Sequence, residues 1–189
     1  MSDHSYTQEE ANQFILDCHG DLEAVKRKVA EKPALVNAYN PDTDEKALGA
    51  SSHIGNRQIA EFLLDNGAEL DIACAAMLGR VEAVADFLEK DPNLATSGGA
   101  HGIPIAFHAA LGGSVEIAEM LLENGAEAQL KGALMGAIFP GRAEMVRWLL
   151  AHGANLNVKD FQGNSPLDVA EKAGHAEIVE MLKEEGAEG

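Results

Sequence analysis

Aromatic residues are scarce in this chain: one Trp, two Tyr and six Phe make up 5% of 189 residues. With so few large rings, the core has to be filled by small and aliphatic side chains in closely packed elements. Cysteine is scarcer still. Cys18 and Cys74 are the only two, which excludes a disulfide framework. Both fall within helical patterns and read as small buried hydrophobes rather than redox groups. No window approaches the roughly 20 uninterrupted apolar residues of a membrane span. The first ten residues lack a basic start followed by an apolar run, so no signal peptide is expected and the cytoplasm is the expected compartment. Basic residues are the last shortage: Lys and Arg number 14 against 31 Asp and Glu, a net charge of −17. Phosphate binding needs concentrated Lys and Arg, so nucleic acid is an unsuitable partner. An anionic membrane surface is disfavoured for the same reason. A basic protein would be attracted over some distance, although the charge also serves solubility.

What the chain does have is a repeat. Gly, two residues, Glu, then an apolar pair occurs at Gly20–Val25, Gly79–Val84, Gly113–Ala118, Gly141–Val146 and Gly174–Val179. A sixth copy, Gly55–Ala60, carries Gln58 in place of Glu. Each part has a physical purpose. Glycine takes the left-handed backbone angles that end one helix and turn the chain sharply. The Glu falls in the first turn of the next helix, where a carboxylate suits the positive end of the dipole. Apolar residues four, five and eight places after the Gly make one helical stripe, as at Ile117, Ala118 and Leu121. Four places before the Gly the residue is small in five copies: Ser51, Ala75, Ala109, Ala137 and Ala170. That lets two helices approach closely. The first copy has Leu16 there, as an end repeat can.

Stop signals keep the same register. Four second helices end in Gly-Ala, at Gly67, Gly125, Gly153 and Gly186, while the first and third copies place Pro33 and Pro92 there instead. The unit is therefore helix, turn, helix, connector. Thr7 to Glu10 reads as a capping box opening the first helix. At the other end, residues 176–185 are acidic outside the stripe of Ile178, Val179, Met181 and Leu182, as a terminal cap requires.

The segment Gly163-Asn-Ser165-Pro166-Leu167-Asp168-Val-Ala170 resembles the ankyrin pattern of Gly followed by Thr-Pro-Leu-His-x-Ala, with Ser for Thr and Asp168 for His. Gly102-Ile-Pro104-Ile105 resembles it less closely. The likeness covers roughly residues 8 to 187. It implies an all-α ankyrin-type solenoid of about six helix-turn-helix units, a single domain over 1–189, with short β-hairpin fingers, some of them shortened. It also implies a protein-binding scaffold, a monomer, with no catalytic residue and no cofactor.

The anchors at 20, 55, 79, 113, 141 and 174 are 35, 24, 34, 28 and 33 residues apart, against about 33 for the family. The second and fourth intervals have no room for both a hairpin and a full first helix. Three full fingers are therefore expected, at residues 36–44, 96–101 and 157–163, with recesses where the other two are missing.

The search for chemistry returns little. No nucleophile elbow, phosphate loop or dinucleotide fingerprint is present. His152, His175 and His19 stand in turn contexts, and His4 lies in the terminal tail. His53, His101 and His108 are less expected. His101 and His108 can meet across a finger base, and a small-ligand or metal-binding sensor or enzyme centred on them is the alternative to protein binding. No metal is expected, however. Zinc spacings such as Cys-x2-Cys are absent, and with packed helices ~8–10 Å apart, His53 is placed too far off to share an ion with the other two. Trp148 reads as partial packing against a neighbour. Tyr39 and Phe161 differ, since both occupy fingers with little core to enter. The expected partner-binding surface comprises Tyr39, Asn40, Asp42, His101, Lys159 and Phe161 on fingers, extended by His53, Phe107 and His108 on first helices. Its expected partner is another protein, and the net charge suits a basic one.

Overall fold

The computed structural model describes residues 6–187. Six helix pairs follow one another: α1 (Gln8–Asp17) with α2 (Leu22–Glu31), α3 (Ala47–His53) with α4 (Arg57–Asp65), and α5 (Ile72–Leu78) with α6 (Val81–Lys90). Then come α7 (Ile105–Gly112) with α8 (Val115–Glu123), α10 (Leu134–Ile138) with α11 (Ala143–Ala151), and α12 (Pro166–Ala173) with α13 (Ala176–Glu184). A short extra helix, α9 (Glu127–Lys131), stands between the fourth and fifth pairs. The first helices form one row, each packing on the next from α1 through α12, and second helices form a layer against it. This is the ankyrin-type solenoid that the resemblance implies.

The anchors behave as turn points with one exception. Gly55, Gly79, Gly113, Gly141 and Gly174 have φ between 72° and 87°, where a Cβ is costly. Gly20 does not. The chain there leaves α1 through successive turn bonds, His19 to Leu16, Gly20 to Asp17 and Asp21 to Asp17, with no left-handed residue. Thus the expectation of positive φ at every anchor fails in the first repeat. That repeat is also the one whose Leu16 is exposed instead of packed. In the other five, Ser51, Ala75, Ala109, Ala137 and Ala170 are all fully buried. The close approach they permit is tightest at two glycines. A Cβ on Gly112 would lie 2.6 Å from the Ala76 carbonyl oxygen, and one on Gly136 2.8 Å from that of Phe107. The packed row of first helices thus rests on backbone meeting backbone.

Both types of second-helix ending are present. Gly67, Gly125, Gly153 and Gly186 have φ between 75° and 94°, while Pro33 and Pro92 each start a 3₁₀ turn, Pro33–Asn37 and Pro92–Thr96. Proline suits that first position because its missing N–H has no partner to lose. Thr7 and Glu10 form the reciprocal capping box on α1.

Fingers depart from expectation. Only the first is a hairpin, β1 (Tyr39–Asn40) paired antiparallel with β2 (Glu45–Lys46). The second keeps a single bridge, Gly98 with Pro104, around a 3₁₀ turn, Ala100–Gly102. The third has no strand and closes through Asp160 N–H to Asn164 and Gly163 N–H to Asp160. The expected recesses are narrowed. In the 55–79 interval the second finger leans back onto the second pair, so that a Cβ on Gly49 in α3 would lie 3.1 Å from Ala100 Cβ. In the 113–141 interval α9 takes up the space, and its Lys131 carbonyl accepts the Asn155 N–H at 2.8 Å. Concavities remain between the fingers, a small one bordered by Tyr39, Asp71 and Gly99 and a larger one bordered by Ile103, Gly132 and Phe161. The core runs along the stack as two contiguous clusters, one around Phe14, Ile59 and Leu63 and one around Ile117, Leu134 and Leu149. Among the described residues, no helix is long and apolar enough to cross a membrane.

Candidate functional site

Two features stand out on the first-helix face. One is a groove of about 720 Å³ that runs over the ends of α3, α7 and α10 toward the third finger. It brings together four of the nine expected surface residues: His53, Phe107, Lys159 and Phe161. Ile54, Met135 and Phe139 line it too, and sequence reading missed them. The signal was available, because Ile54 directly precedes an anchor Gly and Phe139 lies two residues before one, at helix ends whose side chains leave the stack. Phe161 is 92% exposed, Phe139 42% and Ile54 41%. Three large apolar side chains left in water around one concavity are unusual for a free surface.

The first finger stands elsewhere, above the second. Tyr39 and Asp42 are exposed and Asn40 is half-buried. Asp42 N–H donates to the Asn40 side chain at 3.0 Å, and Tyr39 Oη donates to Asp44 at 2.7 Å. These bonds stiffen a finger whose turn already holds Asp44 at φ 52°. The Asp44 carboxylate raises the Tyr39 pKa by accepting the phenol proton.

The second feature is a cluster of three histidines around one carboxylate. Glu45, on β2, turns inward and its side chain is only 5% exposed. Its Oε1 lies 3.1 Å from His101 Nε2, 3.4 Å from His19 Nε2 and 3.4 Å from His53 Nδ1. The His53 ring sits edge-on between the other two, with centroids 5.1 Å from His19 and 5.2 Å from His101. Yet Oε1 accepts no hydrogen bond, so none of the three contacts has the direction of one. Backbone carbonyls hold two of the rings: His19 Nδ1 faces Ile15 O and His53 Nδ1 faces Gly49 O, each at 3.0 Å. Burial depresses the His53 pKa, opposed by the Gly49 carbonyl and Glu45. His101 has φ 57°, a left-handed conformation rare for a non-glycine residue.

This corrects the expected separation of His53 from His101. The two belong to the second and fourth repeats, but the third repeat has no finger. The fourth repeat's finger therefore reaches across to the second. His19 joins them because it and His53 occupy nearly the same place, one or two residues before consecutive anchors, and so meet edge-on. Glu45 went unnoticed because an acidic residue in a finger reads as solvated.

His108 is a second correction. It is fully buried and cannot meet a partner at the surface. Its Nδ1 faces Pro104 O at 3.1 Å, while Nε2 has no partner, and burial lowers its pKa. Its ring contact is with Phe107 and that of His101 is with His53, so the expected pairing across the finger base does not form. His152 bonds the Trp148 carbonyl and stacks on its half-buried ring at 3.9 Å. His4 lies outside the described residues. Both cysteines are free and buried. Desolvation raises the Cys74 pKa to about 12 and pushes that of Cys18 higher still, so neither is poised for thiolate chemistry.

Comparison with known proteins places these features in context. The family model described as ankyrin repeats (3 copies) matches residues 70–160 and 107–189, well over half of the chain. The rat cyclin-dependent kinase 4 inhibitor B is 34% identical over 128 residues, covering 64% of this chain and 95% of that protein. The human cyclin-dependent kinase inhibitor 2A is 35% identical over 120 residues, 59% of this chain and 74% of the relative. Mask-1 of Caenorhabditis elegans, an ankyrin repeat and KH domain-containing protein, is 28% identical over 180 residues, 89% of this chain but 7% of that much longer protein.

Proposed function

Since this chain belongs to the ankyrin repeat family, we propose that it is a protein-interaction scaffold whose partner seats in the groove between α3, α7, α10 and the third finger. The observation that carries this reading is the exposed apolar rim of Phe161, Phe139 and Ile54 around one concavity. Aromatic anchors in such a setting supply most of an interface's energy, while surrounding polar contacts exclude water. Two relatives are named as inhibitors of cyclin-dependent kinases, so acting on another protein is a role that related chains fill. The net charge of −17 favours a partner segment that combines apolar side chains with Lys or Arg. Neither thiol is activated, and the likeness supplies no catalytic residue, which supports binding rather than catalysis.

The test uses a partner captured on the immobilised chain and measured by calorimetry. Phe161→Ala should weaken binding by at least ~1 kcal/mol, the loss expected for a truncated anchor, with an unchanged melt. Tyr39→Ala on the first finger should do so only if the partner extends that far. Glu180→Lys on the exposed face of α13 should alter the association rate at most. Loss of binding on Glu180→Lys with none on Phe161→Ala would put the interface on the opposite face.

A further inference from the structure

We propose that Glu45, His19, His53 and His101 form a binding site for a divalent transition metal, Zn²⁺ in particular. The argument begins with the carboxylate. A buried carboxylate oxygen is costly unless something compensates it, and Glu45 Oε1 has three imidazoles around it but no hydrogen bond. Imidazoles drawn up as donors would aim an N–H at that oxygen. His19 is turned the other way. The Ile15 and Gly49 carbonyls, each 3.0 Å from Nδ1 of His19 and His53, assign the protons to those nitrogens. That leaves an Nε2 lone pair on each ring. In His19 it faces the carboxylate, whereas in His53 the nitrogen nearest Oε1 is the Nδ1 held by Gly49, so His53 would ligate only with its ring turned to present Nε2. A backbone carbonyl fixing the far nitrogen is how metal-binding histidines are commonly oriented.

Distances agree. Two ligands of a tetrahedral zinc with bonds of ~2.0 Å stand about 3.3 Å apart. His19 Nε2 and His101 Nε2 lie 3.4 and 3.1 Å from Glu45 Oε1. One ligand atom each from His19, Glu45 and His53 lies within 4.8 Å of the others. His101 stands at the edge of that group, its Nε2 near Glu45 but its ring separated from His19 by that of His53, and it has to shift inward to complete a four-ligand shell. Three imidazoles and a carboxylate suit zinc or a neighbouring transition ion and ill suit Ca²⁺ or Mg²⁺, which prefer all-oxygen shells. Nothing in the repeat pattern requires these side chains: they come from two helix ends and two fingers. An ion there would tie the first, second and fourth repeats together across the third repeat, which has no finger.

The experiment uses tag-free full-length protein stripped with chelator and titrated with ZnCl₂ by calorimetry. One equivalent should bind and raise the melting temperature, since a ligand bound only by the folded state stabilises it. Co²⁺ should give the visible bands of four-coordinate cobalt. Glu45→Gln and His19→Gln should each weaken binding at least ~10-fold, while His152→Gln and His175→Gln, at histidines outside the cluster, should bind as the parent does. If Glu45→Gln fails to fold, His19→Gln decides the matter, because that ring is a third exposed. Parent protein that takes up no zinc overturns the proposal, as does uptake that survives His19→Gln undiminished. Partner binding at the groove plays no part in this readout.

Discussion

Replacing Gly112 by Ala tests the packing of the first-helix row directly. A Cβ there would meet the Ala76 and Met77 carbonyl oxygens at 2.6 and 2.7 Å, about 0.7 Å inside ordinary contact. Both obstacles are backbone, so neither can swing aside, and α7 has to move away from α5. Overpacking of this kind costs ~1–3 kcal/mol, and a rigid neighbour puts it toward the upper end. Working against that loss, Ala is favoured over Gly in a helix by ~0.5–1 kcal/mol. The net expectation is a destabilisation of ~1–2 kcal/mol, or ~2–8 °C in melting temperature for a chain of this size. Gly132, at the end of α9, supplies the opposite case. Its φ is −86°, and a Cβ would meet nothing nearer than 3.5 Å. Gly132→Ala should therefore stabilise by ~0.4–1 kcal/mol. Far-UV circular dichroism melts of both variants against the parent give the comparison. A Gly112→Ala protein that melts at or above the parent temperature would refute the close backbone contact between α5 and α7.

Deleting residues 164–189 removes α12 and α13 and uncovers Met145, Val146 and Leu149, all buried in the intact stack. Because repeats are stabilised through their neighbours, the truncated chain should aggregate or melt earlier in gel filtration and circular dichroism. An unchanged, soluble monomer would contradict this. His108 gives a pH dependence. Burial holds its folded pKa below the ordinary 6.5, with Asp71 opposing. The unfolded chain therefore takes up the proton first. Stability is fully present above pH ~6.5 and falls as the pH drops through the gap between the two values, by up to ~1.4 kcal/mol per pH unit. His108→Gln should lessen the slope of urea-melt stability across that window, leaving the part due to His53, and an identical slope in variant and parent would remove His108 from the account.

The repeat architecture was legible in the sequence because it is made of short-range requirements. A Gly at a turn, a Glu in a first turn, a small residue at a helix crossing and a Gly or Pro at a helix end each answer to geometry within a few residues. Six copies in one register leave little else for the chain to be. The length of the connectors also told where fingers were missing. What the chain does with that space was not legible. Whether the second finger leans over a gap or stands beside it depends on Gly49 meeting Ala100, a contact between residues 51 apart in sequence. From that contact comes the meeting of His53 with His101, and with it a buried Glu45 among three histidines. Phe139 and Ile54 became one groove with Phe161 by the same logic, through the stacking of helix ends from separate repeats. Local geometry decides the unit, and only the packing of one unit on the next decides which side chains share a site.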